Sequence, residues 1–419
     1  MTNRTYSLRI SKDLDPLLKR TGNARIVMLG EASHGTHEYY TWRSAITKRL
    51  IEEKGFNLIA VEGDWPDCYR VNRYIKGYSD QDKKPAEVLK TFNRWPTWMW
   101  ANWEIVFLVT WLKEFNSYKA SDKRIGFYGL DVYSLWESFE TLIDYLKKND
   151  MDAAMIAEKA LHCFERYGKD EKAYALNSLT DSCKKEVIEL LTEVRKKAIT
   201  YNHDTEAALN TAQNAYIISE AEKYYSSMIS LDDQSWNIRD KHMMKTLDRL
   251  MEFHGPKTKA IIWEHNTHIG DARYTDMKRA GMVNTGQLAR EQYGEEDVVL
   301  VGMGSYEGSV IAGTGWGTGE QVMNVPKAME GSWEETLHSQ TMNNQLIIFD
   351  RTGKEKEQTF LHRAIGVVYH PLHERNNYVP TVINKRYDAF MYLDKTRALH
   401  PLAVSADLTQ VPETYPFEV

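Results

Sequence analysis

A short β-branched run closed by glycine, Arg25 to Gly30, leads through a polar turn into a helical pattern from about Thr36 to Lys54; Gly55 follows, then a second buried-strand run from Phe56 to Val61. A strand, a helical crossover and a second strand of these lengths make a βαβ unit whose parallel strands are expected side by side. Similar apolar runs recur at Arg124 to Gly129, Lys259 to Trp263, Asp297 to Met303, Gln345 to Phe349 and Ala389 to Leu393. The pattern predicts an α/β fold with one central sheet, mostly parallel or mixed, of roughly six to eight strands and with helices on both faces. Between Ser134 and Gly255 turn residues thin out, and Glu, Lys, Ala and Leu recur at helical spacing. This predicts an inserted helical subdomain of roughly three to five helices, which either covers a sheet face or forms a lid. The expected organisation is an N-terminal part of the core with catalytic loops (1–133), the helical insertion (134–255) and a C-terminal part of the core (256–419).

Composition narrows the function. The 53 basic and 59 acidic side chains leave a net charge of −6, which offers no positive field for nucleic acid or an anionic membrane. The first 20 residues lack the continuous apolar core of a secretory signal, and the strongly apolar run from Ile105 to Leu112 falls far short of the roughly 20 residues a bilayer span needs. Cys68, Cys163 and Cys183 form an odd set without CxxC spacing, which argues against a disulfide framework and a structural zinc site and suits a reducing cytoplasm. The glycine-rich stretch from Gly313 to Gly319 lacks phosphate-loop spacing and reads as a loop.

Loops after the carboxyl ends of parallel strands converge on the ligand crevice of an open α/β sheet. Glu31 and His34 follow the first strand, Glu62 the second, and Glu264, His265 and His268 the run ending at Trp263. A carboxylate beside an imidazole fixes its tautomer and raises its basicity, which suits proton abstraction from water. Arg43 lies only about 50° from the centre of the apolar stripe formed by Tyr39, Trp42, Ile46 and Leu50, so it is partly buried and needs Glu31, Glu62 or a ligand anion as its partner, unless it snorkels from the stripe's edge. His-x-x-His is also a metal-ligand spacing, which keeps open a metal or haem site built from the same His/Glu cluster. Asp131, at another strand end, reads as structural. Arg239 either reaches the cleft from the inserted helices or caps and pairs with Asp240. Four tryptophans crowd Trp95 to Trp103. Three of them, at 95, 98 and 103, can share a helix face in the core, or the segment can wall a substrate pocket. Neither a G-x-S-x-G elbow nor a thiol beside a sequence-local base is present, so a water nucleophile is the simpler scheme.

The motif from Gly30 to Gly35, the arginine nine residues after His34, the segments Val61 to Trp65 and Glu264 to His268, the tryptophan-rich segment and the ending from Arg386 to Thr396 together resemble the erythromycin esterase family. The resemblance implies cofactor-free, metal-independent hydrolysis of a macrolide lactone or another small-molecule ester, with a possible part in antibiotic resistance. Under it His34 is the general base on water, Glu31, Glu62, Arg43, His265 and His268 complete the site, and Trp65, Trp98 and Arg239 are candidates for substrate contact. The family also includes members named for succinoglycan biosynthesis, and more distant relatives include haem-binding lipoproteins and metal-dependent membrane proteases.

Overall fold

The computed structural model describes residues 4–79, 84–168, 170–178, 180–197, 200–201, 206–228, 234–350 and 357–415. Its strands are β1 (Arg4–Ser7), β2 (Ile26–Leu29), β3 (Leu58–Val61), β4 (Gly126–Gly129), β5 (Ala260–Trp263), β6 (Val298–Ala312), β7 (Gln321–Val325), β8 (Gln345–Ile348), β9 (Phe360–Arg363), β10 (Tyr378–Thr381) and β11 (Ala389–Thr396). Nine of them form one mixed sheet in the order β1-β8-β11-β6-β2-β5-β3-β4, with β7 hairpinned onto the far half of β6, while β9 and β10 make a separate ladder. The six strands from β11 to β4 run parallel.

The sheet exceeds the expected six to eight strands by two kinds of element that carry little apolar signal. β1 (RTYS) is a mostly exposed edge strand, and β7 (QVMNV) is exposed at three of its five positions. A larger correction concerns order: β2 and β3 are not neighbours, because β5 lies between them and pairs with both. A right-handed crossover constrains handedness and leaves room for an intervening strand.

Central strands buried on both faces read as continuous apolar runs, and the period of two sorts their side chains into two cores. Val27, Leu29, Ile59, Val61, Ile261 and Trp263 enter one core, shared with the helices α1 (Asp15–Thr21), α2 (His37–Lys54), α3 (Trp65–Ile75), α4 (Pro85–Leu89) and α5 (Trp103–Ser117). Ile26, Met28, Leu58, Ala60, Ala260 and Ile262 enter the other.

Between β4 and β5 the described residues form α6 (Leu135–Asn149), α7 (Met151–Glu165), α8 (Glu171–Asn177), α9 (Lys184–Lys197), α10 (Ala207–Ser227) and α11 (Gln234–His254), more helices than the three to five expected. They share a third hydrophobic cluster, with Phe139, Phe164, Leu190 and Tyr224 inside it. Cys163 and Cys183 are bridged across this cluster, which overturns the reading of unpaired thiols and removes the cysteine argument for a reducing compartment; Cys68 is free and buried. Among the described residues no helix is long and apolar enough to cross a membrane.

The tryptophan-rich segment is not one helix. Thr97–Met99 make a short 3₁₀ turn, and Asn102 then caps α5 by accepting from the Ile105 N–H. Trp95 and Trp98 pack edge to face in the core, and Trp103, expected on the same face, is 48 % exposed. Trp316, in the glycine-rich loop, contacts Trp95 and Tyr415.

Candidate active site

Glu31 and His34 lie in the loop between β2 and α2, Glu62 just after β3, Asp131 just after β4, and Glu264, His265 and His268 after β5. Because β5 separates β2 from β3, its histidines stand between the two groups of acids. The β2–α2 loop is pinned by long-range backbone bonds: the Asn266 N–H donates to the Glu31 carbonyl, Ile365 to Ala32, and both Ile311 and Leu399 to Gly35. Gly35 is required by close approach, since a Cβ there would stand 1.9 Å from the Ile311 carbonyl oxygen.

His34 Nδ1 lies 3.1 Å from Glu31 Oε1, and the other oxygen of that carboxylate accepts from Arg43 Nη2 at 2.7 Å. Arg43 is fully buried, with its guanidinium 4.3 Å from the Tyr40 ring centre and 4.5 Å from that of Trp263. The expected partner of this arginine is therefore Glu31. The carboxylate fixes the imidazole with Nδ1 as donor, which leaves the lone pair on Nε2, and that nitrogen has no hydrogen-bond partner among the described residues. The His265 ring stands 5.0 Å from that of His34, centre to centre. Burial holds His265 well below the usual histidine range, so it is neutral.

A second group adjoins the first. Glu62 accepts from the His265 backbone N–H at 2.8 Å and from Arg239 Nη2 at 2.7 Å. Arg239 also forms a bidentate pair with Asp131, at 3.0 and 2.7 Å, and its Nη1 lies 3.0 Å from His268 Nε2. The guanidinium thus serves Asp131 and Glu62 rather than Asp240, and Asp131 joins the cluster instead of standing apart from it. Asp240 belongs to His268, whose Nδ1 is 2.9 Å away, and Trp236 stacks on that imidazole at 4.6 Å. Burial opposes a charge on His268, yet Asp240 and Glu62 outweigh it and push its pKa up to about 9. Burial likewise opposes ionisation of Glu62, but His268 and Arg239 hold its carboxyl well below the ordinary range. Glu264, buried with no hydrogen-bond partner for either oxygen among the described residues, is pushed well above that range by burial.

The structure therefore gathers His34, Glu31, Arg43, Glu62, His265, His268 and Arg239 into one cluster. It differs from the ligand crevice expected at these strand ends, since each of these side chains is buried. Trp65 and Trp98 are also packed into cores: Trp65 stacks on Tyr69 and Tyr128 and donates to Asn210, and Trp98 sits against Trp95. Neither is placed as the substrate wall expected of it, because ring packing uses their faces. Asp240 was missed as a histidine partner. Its adjacency to Arg239 suggested a local ion pair, and only the docking of α11 on β5 redirects it. His268 is poorly placed to ligate a metal or haem iron, because the guanidinium of Arg239 occupies its Nε2 side while Asp240 holds Nδ1.

Comparison with known proteins places this arrangement. A family model described as erythromycin esterase matches residues 51–396. Among curated relatives, the erythromycin esterase type II of Escherichia coli is 25% identical over 362 residues, covering 80% of this chain and 83% of the relative. A putative hydrolase, YbfO, of Bacillus subtilis (strain 168) is 21% identical over 403 residues, covering 92% and 86%. Two solved structures share the fold: a succinoglycan biosynthesis protein (TM-score 0.74, 22% identity, 94% and 95% of the two chains) and a histidine-to-asparagine mutant of the erythromycin esterase EreC in its open conformation (TM-score 0.69, 18% identity, 98% and 100%).

Proposed function

Because the chain belongs to the erythromycin esterase family, whose model spans residues 51–396, we propose that it is a hydrolase that cleaves an ester or macrolactone with a water activated by His34. The observation that carries this reading is the pinned imidazole: Glu31 holds Nδ1, Arg43 holds Glu31, and Nε2 has no partner among the described residues. In the proposed step Nε2 takes a proton from water and the oxygen attacks the carbonyl carbon. The tetrahedral oxyanion then collapses and expels an alkoxide, which takes that proton from the His34 imidazolium and leaves as the alcohol. Glu62, ionised and held by Arg239, supports the imidazolium that forms on His34. Arg43 acts as a positioning residue through its bond to the Glu31 carboxylate that holds His34.

The cluster is buried, and α11 contributes Arg239, Asp240 and Trp236 to it. Substrate entry therefore requires the helices of 134–255 to move, in keeping with a lid role; the EreC relative is described in an open conformation.

The decisive experiment is His34→Asn, assayed against a panel of macrolactones and simpler esters with mass detection of the gain of one water. Loss of about 10²–10⁴-fold in turnover with an unchanged circular dichroism spectrum is expected. Retention of more than about a tenth of wild-type turnover on a confirmed substrate would remove His34 from the reaction. Hydrolysis of a macrolactone in that panel would extend the proposal to antibiotic resistance; hydrolysis of simpler esters alone would confine it to the chemistry.

A further inference from the structure

His37, Glu104 and His400 meet where α2 and α5 begin, in the lining of a cavity of about 740 Å³. His37 opens α2, Glu104 lies in the first turn of α5, and His400 follows β11, so three distant segments supply the three side chains. Both imidazole Nδ1 atoms lie 2.6 Å from the same oxygen, Oε1 of Glu104, and the donor atoms all fall within 4.8 Å of one another. Among the described residues this is the set of histidines and acids whose donor atoms converge in that way.

We propose that His37, Glu104 and His400 bind a divalent first-row transition ion of the zinc class, with an open coordination position toward the cavity. Two imidazole nitrogens and one carboxylate are a donor set suited to such ions, and three protein ligands leave a position for a further donor. Bonds of about 2.0–2.1 Å separate tetrahedral ligand atoms by roughly 3.3 Å. The two nitrogen–oxygen distances thus need to open by only about 0.7 Å as the ion replaces the imidazole protons. The set can yield by that amount, because the His400 side chain is 59 % exposed, while the Glu104 carboxylate at the base is 3 % exposed.

The surroundings hold the donors in place. The Trp103 N–H donates to the His400 carbonyl at 2.9 Å, the His37 N–H to the Arg397 carbonyl at 2.8 Å, and the Leu399 N–H to the Gly35 carbonyl at 3.0 Å. Trp103, Phe107 and Leu108 line the cavity with Lys48 and Arg49. The open position therefore suits water or a donor group on a molecule with an apolar body. His37 is three residues from His34, so an ion here ties the C-terminal segment to the same loop that carries the proposed base.

The test uses the untagged full-length chain, stripped with a chelator and titrated with Zn²⁺ by calorimetry and with Co²⁺ by visible absorption. One equivalent per chain and a Co²⁺ d–d band are expected, with affinity lowered at least about tenfold in both Glu104→Gln and His400→Ala. His400 is exposed, so its variant keeps the fold even if Glu104→Gln does not. The His34→Asn variant should bind the ion as the wild type does. No binding, or binding unchanged in the His400→Ala variant, or binding lost in His34→Asn but kept in His400→Ala, would overturn the proposal.

Discussion

Arg43 shows how one side chain sets the geometry of another. Its guanidinium is buried, with Nη2 donating to one oxygen of Glu31 and its faces against Tyr40 and Trp263, while Nε and Nη1 have no hydrogen-bond partner among the described residues. Removing one partner of such a pair leaves an uncompensated buried charge, which costs about 3–5 kcal/mol. Arg43→Leu should therefore lower stability by that amount in denaturant unfolding, and the double variant Arg43→Leu/Glu31→Leu should regain much of it while remaining inactive. A double variant as unstable as the single one would show that the pair is not the source of the loss. At this scale much was legible from sequence. The position of Arg43 beside an apolar stripe required a buried partner, and the topology offered Glu31. The partner of His268 was not legible, because Asp240 and His268 are brought together only by the packing of α11 against the loop after β5.

Among elements, the loop from Gly30 to Thr36 and the helices of 134–255 pose opposite problems. The loop is held by backbone bonds to Asn266, Ile311, Ile365 and Leu399, so it cannot shift to admit a larger residue. Gly35→Ala places a Cβ 1.9 Å from a carbonyl oxygen, and a cost of about 1–3 kcal/mol or more is expected, read as a lower denaturation midpoint with reduced turnover. In the helices, the Cys163–Cys183 bridge closes a loop of sequence separation 20, which chain entropy converts to about 3 kcal/mol. Reduction, or Cys163→Ser with Cys183→Ser, should lower the unfolding midpoint by a comparable free energy. An unchanged midpoint would mean that the bridge adds nothing to stability. The strand runs were readable because central strands are apolar on both faces. β1 and β7 were not, since exposed strands carry polar residues, and the bridge was hidden because an odd cysteine count says nothing about which pair of thiols the helices bring together.

Over the whole molecule the buried histidines set the response to pH. His268 is pushed up to about 9 from 6.5, so its contribution is fully present below about pH 6.5 and is lost as pH rises through about 9; it is worth on the order of 3 kcal/mol. His242 and His254 are held down to about 4 by burial. The unfolded chain takes up their protons first, so their contribution to stability falls as pH drops from about 6.5 toward 4, opposed by buried acids such as Asp67, whose carboxyl burial pushes up to about 8. Glu62, with its pKa depressed, adds to the loss at the acid end. Stability should therefore decline as pH rises from about 6.5 to 9, where His268 and the buried Asp67, pushed up to about 8, lose protons that the unfolded chain has already released; urea midpoints unchanged across that range would contradict these protonation states.

The sequence by itself determined the α/β class, the strands of the core, the loop positions of Glu31, His34, Glu62, His265 and His268, and the family resemblance, because apolar periodicity and motif spacing are local properties written along the chain. Tertiary structure decided that β5 lies between β2 and β3, that Arg239 and Asp240 serve different partners, that the cluster is closed to solvent, and that His37, Glu104 and His400 converge on one oxygen. Each of these depends on which distant segments share a small volume, and that is fixed by the joint packing of all the elements rather than by any one stretch of residues.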